Sequence, residues 1–138
     1  MLAIVDSGPL YATVDRGDQD HVRSLEILRR PELQLIIPTL VVAEVTYLIA
    51  ARLGAEAEAG FLEGLTLFEV EAPSRSDWRR IAELVRQYRD FPLGGADASV
   101  VALAERLNTD LVITLDQRHF RAIRPLHAAT FRILPGDI

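Results

Sequence analysis

The chain has 138 residues, 49 % of them apolar, with 20 acidic side chains against 15 basic ones and a net charge of −5, which is one domain's worth of chain. It has no cysteine, which excludes disulfides, thiolate metal sites and thiol nucleophiles, and every basic residue is arginine, which excludes a P-loop or Schiff-base lysine. The acidic balance argues against a protein that coats nucleic acid generally but leaves room for a local arginine patch; no apolar run approaches the ~20 residues of a membrane helix, and without a basic flank before Leu2 the N-terminus predicts no signal peptide and a cytoplasmic protein.

Leu2–Val5 is an apolar run that predicts a buried strand ending on Asp6. A carboxylate there is costly to desolvate. Either Asp6 caps the next helix, or a cation sits beside it. Gly8–Val14 predicts a short helix and Asp18–Arg29 a second. Leu33–Ile37 is the next strand. Pro38-Thr39 opens a long helix to about Leu53, ended by Gly54, and Ala55–Leu65 is another, weakened by Gly60 and Gly64. Leu67–Val70 predicts a third strand. The sequence "SRSD" (Ser74 to Asp77) is a capping box in acidic form, and its helix extends to about Tyr88. Trp78, in its first turn, reads as a core residue. "FPLGGAD" is a loop, Ala96–Leu107 a helix, Leu111–Thr114 a strand and Thr130–Ile133 a last short strand. No repeat or linker interrupts the chain, so residues 1–138 form a single α/β domain. Strands separated by helices imply right-handed crossovers and a mostly parallel sheet of about five strands with helices on both faces. In such sheets ligands bind beyond the carboxyl ends of the strands, where Asp6 lies.

Three further acids stand in awkward places. Glu44 has Leu40, Val41, Tyr47 and Leu48 as its helical neighbours, which predicts a buried face; the ordinary alternative is a rim glutamate whose head snorkels to water. Asp97 shares a face with Val100, Val101 and Ala104, in a first helical turn where an acid also offsets the helix dipole. Asp116 follows an apolar strand as Asp6 does, where a loop or N-cap role is the ordinary alternative. Each is weak evidence alone. Together they place acids at strand ends and helix starts that converge in a parallel sheet. Four carboxylates in one pocket repel unless a cation neutralises them, and oxygen ligands without cysteine favour Mg²⁺ or Mn²⁺. His21, His119 and His127 lack zinc-site spacing. Arg118, Arg121 and Arg124 cluster after Asp116 with His119 and Phe120 between them, a combination suited to phosphates and base stacking; Phe120 reads equally as a core plug.

Four blocks in this order, "IVDSGPLYA", "PTLVVAEVTYLI", "PLGGADASVVALAERL" and "LVITLDQRHFRAI", resemble the PIN-domain ribonucleases, specifically the VapC toxins of type II toxin–antitoxin pairs. The resemblance covers nearly the whole chain. It implies a PIN-like fold and a Mg²⁺- or Mn²⁺-dependent endoribonuclease. Asp6, Glu44, Asp97 and Asp116 would form its acidic quartet, with Asp6 and Asp97 as direct metal ligands and Ser7 and Thr114 in support. It also implies an RNA substrate, a VapB-like antitoxin and a homodimer, for which Leu40–Leu53 and Ala55–Leu65 offer apolar faces. The family often carries another acid two residues after the fourth; Arg118 stands there, which puts a second metal in doubt. The alternatives are a PIN fold kept as a non-catalytic binding protein, or a PIN-type nuclease acting on another nucleic acid. A response-regulator phosphotransfer module would need a second acid beside Asp6 and a late lysine. A haloacid-dehalogenase-like phosphatase would need an acid where Gly8 stands.

Overall fold

A computed structural model describes residues 1–136. In chain order the elements are β1 (Leu2–Val5), α1 (Ser7–Val14), α2 (His21–Leu28), β2 (Gln34–Pro38), α3 (Thr39–Leu53), α4 (Ala55–Gly64), a 3₁₀ turn (Leu65–Leu67), β3 (Glu69–Glu71), α5 (Arg75–Gln87), α6 (Gly95–Arg106), β4 (Leu111–Ile113), α7 (Gln117–Ala122) and β5 (Arg132–Leu134). The five strands form one sheet in the order β3-β2-β1-β4-β5, and every neighbouring pair is parallel.

The central strands are apolar throughout because both faces are covered. Ala3, Ile4, Val5, Val112 and Ile113 are all fully buried. The edge strand β3 is instead Glu-Val-Glu, and its charges protect an open ladder from pairing with another chain. The chain steps outward from β1 to β3, then returns through α5 and α6 to β4 on the other side of β1. Right-handed crossovers therefore put α1–α4 on one face and α5 and α6 on the other. The reversal also creates a crevice outside the carboxyl ends of β1 and β4.

Two local devices fix the helices that matter for the site. Gly54 ends α3 and starts α4 at φ +92°, a left-handed conformation that glycine adopts without strain. The capping box of α5 forms as its sequence predicts: Asp77 N–H donates to Ser74 Oγ at 3.2 Å and Ser74 N–H to Asp77 Oδ2 at 2.9 Å. Asp77 is buried and also accepts from Arg106 Nε at 2.8 Å, while Arg80 holds Glu105 with two bonds of 2.8 and 3.0 Å. These pairs lock α5 antiparallel to α6.

The strands and helices predicted from sequence form with boundaries shifted by a residue or two, except at α2, which starts at His21 after a turn rather than at Asp18. α7 forms where no element was predicted. Two expectations are corrected. Trp78 is not core: it is 52 % exposed, on the flank of α5 beside the buried row of Asp77, Ile81 and Leu84. Glu44 does not lie on a buried face. The buried stripe of α3 is Val41, Val45 and Ile49; Glu44 is exposed beside it, and its neighbour Tyr47 is 74 % exposed. α3 is apolar on more than one side, so spacing alone misidentified the face that packs.

Candidate active site

Asp6 follows β1 at the crevice, and its N–H donates to Ile113 O at 2.9 Å, continuing the ladder to β4. It occupies the N-cap position of α1, yet its side chain makes no capping bond. The ordinary explanation of this acid is thus removed. The carboxylate is buried, 3 % exposed, and accepts the Thr114 hydroxyl through Oδ2 at 2.7 Å. Thr114 Oγ1 in turn accepts Asp116 N–H at 2.9 Å, which fixes the hydroxyl as donor toward Asp6. Among the described residues Asp6 Oδ1 is buried without a partner. Burial, and next the charge of Asp97, push the Asp6 pKa from 3.8 up to about 7; Thr114 and the Ser7 backbone oppose this, and Glu44 adds to it.

The other three acids face the same crevice. Asp97, half-buried in the first turn of α6, has its pKa raised by burial and by Glu44, while His119 lowers it and Asp116 raises it. Asp97 therefore lies within electrostatic range of Asp6, Glu44 and Asp116, and Asp6 within range of Glu44. Ser7 donates its hydroxyl to Glu44 Oε1 at 2.7 Å, tying α1 to α3. Asp116 is the N-cap of α7: Oδ1 accepts His119 N–H at 3.2 Å, and Oδ2 is bonded to His119 Nδ1. Close backbone packing shapes the crevice as well. A Cβ on Gly8 would lie 3.4 Å from the side chain of Leu115, so the start of α1 lies directly against the β4–α7 loop.

His119 has a larger part than sequence assigned. It is held between Asp116 and Phe91, whose ring centroid is 4.7 Å away. The clue was its position three residues after an N-cap acid, where a side chain can turn back on the cap. Phe120 is fully buried against Phe131, with centroids 6.1 Å apart, so of its two readings the core plug is correct and it is no base platform. Arg118, Arg121 and Arg124 are exposed on and after α7, and the Arg118 guanidinium lies 5.6 Å from the Phe91 ring centroid. His21 and His127 bond the carbonyls of Ala12 and Thr109, each at 2.7 Å, away from the acids.

The donor set suits a hard cation. An orphaned buried carboxylate oxygen beside other carboxylates has no reason to ionise without one. Among the described residues no three His, Asp or Glu side chains gather tightly enough to chelate an ion unaided.

The sequence profile of the PIN domain family matches residues 3–125. The chain belongs to the PIN-domain family. Within it, Ribonuclease VapC26 of Mycobacterium tuberculosis is 35 % identical over 134 residues, covering 96 % of this chain and 99 % of that relative, which places the chain among the VapC proteins. Among solved structures, M. tuberculosis VapC20, a sarcin-ricin-loop-cleaving toxin, superposes with a TM-score of 0.72 at 18 % identity over 80 % of this chain and 86 % of its own. VapBC2 from Rickettsia felis, bound to a DNA fragment from its promoter, gives 0.71 at 18 % identity over 96 % and 98 %. VapBC from Salmonella typhimurium, also DNA-bound, gives 0.68 at 20 % over 96 % and 97 %. These likenesses establish the PIN fold predicted from the four sequence blocks.

Proposed function

We propose that this PIN domain is a metal-dependent endoribonuclease, the toxin of a type II toxin–antitoxin pair, hydrolysing RNA phosphodiester bonds at Asp6, Glu44, Asp97 and Asp116 with Mg²⁺ (or Mn²⁺). The observation that carries this reading is Asp6, a buried carboxylate with a free oxygen, a pKa pushed up to about 7 and other acids around it. The ribonuclease relative supports RNA as substrate.

Asp6 and Asp97 would hold the ion, which would supply an acidified water and a counter-charge for the phosphoryl group. Thr114 favours the ionised form of Asp6 and aims the carboxylate by donating to Oδ2. Glu44 has one oxygen fixed by Ser7, so Oε2 is left to accept a proton from the attacking water. Asp116, clamped by the first turn of α7 and by His119, orients that water. Arg118, Arg121 and Arg124 bind the phosphates that flank the scissile bond.

The partners follow the same reading: a VapB-like antitoxin, supported by the VapBC complexes of the same fold, and a second copy of the chain. Tyr47, Leu53, Leu62 and Leu67 are exposed apolar residues on and after α3 and α4. An apolar groove of about 470 Å³ between α1, α2 and α4, lined by Leu10, Leu25, Phe61 and Phe68, is surface that a partner's apolar segment would fill. Among the described residues no helix is long and apolar enough to cross a membrane, and a toxin that cuts RNA acts in the cytoplasm.

The test is calorimetric titration of Mn²⁺ into the wild type and into an Asp6→Asn/Asp97→Asn variant, with RNA cleavage measured on the same samples. Binding and cleavage by the wild type alone, with both proteins folded, is the expected result. A wild type that binds no divalent ion refutes the proposal.

A further inference from the structure

The helix α5 buries one side and leaves another that the fold does not use. Asp77, Ile81 and Leu84 face α6. On the opposite side Arg75, Arg79 and Arg86 recur at helical spacing, with Trp78 and Val85 along one flank and Arg89 just beyond the last turn. All six are exposed, Trp78 at 52 % and Val85 at 37 %.

These arginines are not spent on structure. Glu83, the acid nearest to them on the helix, pairs with Arg80 at 3.4 Å. Among the described residues Arg75, Arg79, Arg86 and Arg89 form no ion pair; Arg89 only donates to the Arg86 carbonyl at 3.3 Å. Like charges one turn apart destabilise a helix, and in a chain of net charge −5 a concentrated basic side is a local feature. Trp78 likewise stacks on no ring or cation among the described residues.

This side leads to the acids. α5 has 13 residues and so spans about 20 Å. The segment after it leans on α7: Tyr88 OH accepts Arg124 N–H at 2.9 Å, and Phe91 packs on His119 beneath Arg118. The arginines of α5 thus continue toward those of α7 at the mouth of the crevice.

We propose that the outer side of α5 is a second RNA contact, in which Arg75, Arg79, Arg86 and Arg89 hold phosphates of the strand flanking the scissile bond and Trp78 stacks on an unpaired base. This rests on the ribonuclease reading above. Arginine forks match phosphate oxygens in pairs. An exposed indole among arginines is the combination by which single strands are held without regard to sequence. An acidic protein would match the arginines but leave the indole without a role.

Binding is measured by fluorescence anisotropy with the Asp6→Asn chain, which does not cut, and labelled mixed-sequence RNAs of ~20 and about five nucleotides, the shorter filling the crevice alone. Arg79→Glu/Arg86→Glu should weaken the longer RNA at least about tenfold and reduce the slope of log K against log salt by about 1.4, two phosphates' worth. Trp78→Ala should weaken it about tenfold with the slope unchanged. Neither change should alter affinity for the shorter RNA or its cleavage by the otherwise wild-type chain. Unchanged affinity for the longer RNA, or equal loss for both lengths, overturns the proposal. So does a changed oligomeric state with RNA binding intact, which would make this side a protein interface. If the wild type cuts neither RNA, the ribonuclease reading falls and the α5 contact with it; if it cuts both and the α5 variants match it throughout, only the α5 contact falls.

Discussion

Replacing Asp6 by asparagine separates what this side chain does for chemistry from what it does to the fold. Burial and the charge of Asp97 raise its pKa from 3.8 to about 7. A folded-state pKa above the unfolded one means that the native state binds the proton more tightly. Stability is therefore intact below about pH 4, is lost progressively as pH rises toward 7, and stays reduced above it. A shift of that size corresponds to roughly 4 kcal/mol at pH 8. Asparagine removes the charge and keeps an acceptor for Thr114, but places an amide where Oδ1 has no partner, which returns about 1–3 kcal/mol of the gain.

In chelator at pH 8, Asp6→Asn should therefore be more stable than the wild type by about 1–3 kcal/mol, and should lose that advantage by about pH 4. Urea denaturation across this range reads the difference directly. Mn²⁺ should then stabilise the wild type by mass action and leave the variant unmoved. A stability difference that does not change with pH would refute the reasoning, because it would mean that Asp6 does not titrate in the native protein within this window.

Further predictions test the supports around this carboxylate. Thr114→Val removes the donor to Asp6 and the acceptor for Asp116 N–H; it should move the acid limb of the pH–rate profile upward and cost about 1–3 kcal/mol in urea unfolding. Ser7→Ala frees Glu44 and should lower kcat with KM for RNA little changed, while thermal unfolding moves by less than about 1 kcal/mol. Asp77→Ala breaks the capping box and leaves Arg106 with one fewer acid; it should cost about 2–4 kcal/mol, read as a fall in Tm, with catalysis retained at low temperature. Phe120→Ala opens the core beside Phe131 and should cost about 3–5 kcal/mol, far more than loss of a surface stacking residue.

The parts of the fold that sequence disclosed are those where one physical demand dominates. Leu2–Val5 and Leu111–Ile113 are uninterrupted apolar runs because a parallel strand is covered on both faces, and both were placed correctly. The capping box at Ser74 and the break at Gly54 are local chemistry and needed no tertiary knowledge. The errors fall where surface and core compete for the same residue types. On α3 the row through Glu44 and Tyr47 is as apolar as the row through Val45, and only tertiary packing reveals which is buried. Trp78 was assigned to the core, but it sits at the edge of the buried row, with Arg75 one turn before it and Ile81 one turn after, and only packing shows that it stays outside. The six residues of α7 form one short amphipathic turn, too brief for periodicity to register. That the four acids could converge was read from strand ends and helix starts in a parallel sheet, and their grouping as a quartet came from the family resemblance. The two hydroxyl tethers, Ser7 to Glu44 and Thr114 to Asp6, became specific only in three dimensions.

The correction at Glu44 sharpens the chemistry proposed for the crevice. The acids are graded in burial: Asp6 is enclosed, Asp97 and Asp116 are half-buried, and Glu44 is exposed. Electrostatic interaction strengthens as water is excluded, so the enclosed end is where an ion is most needed and most firmly held. The exposed end is where water enters, and a carboxylate that must accept and release a proton works best where it can exchange with solvent. Four acids buried alike would compete for one ion and for one proton. The gradient divides the work, and it predicts that Glu44→Gln should reduce turnover while leaving Mn²⁺ affinity nearly intact, whereas Asp6→Asn should abolish both. Equal loss of Mn²⁺ affinity in the two variants, measured by titration calorimetry, would show that Glu44 is a ligand and that the division is wrong.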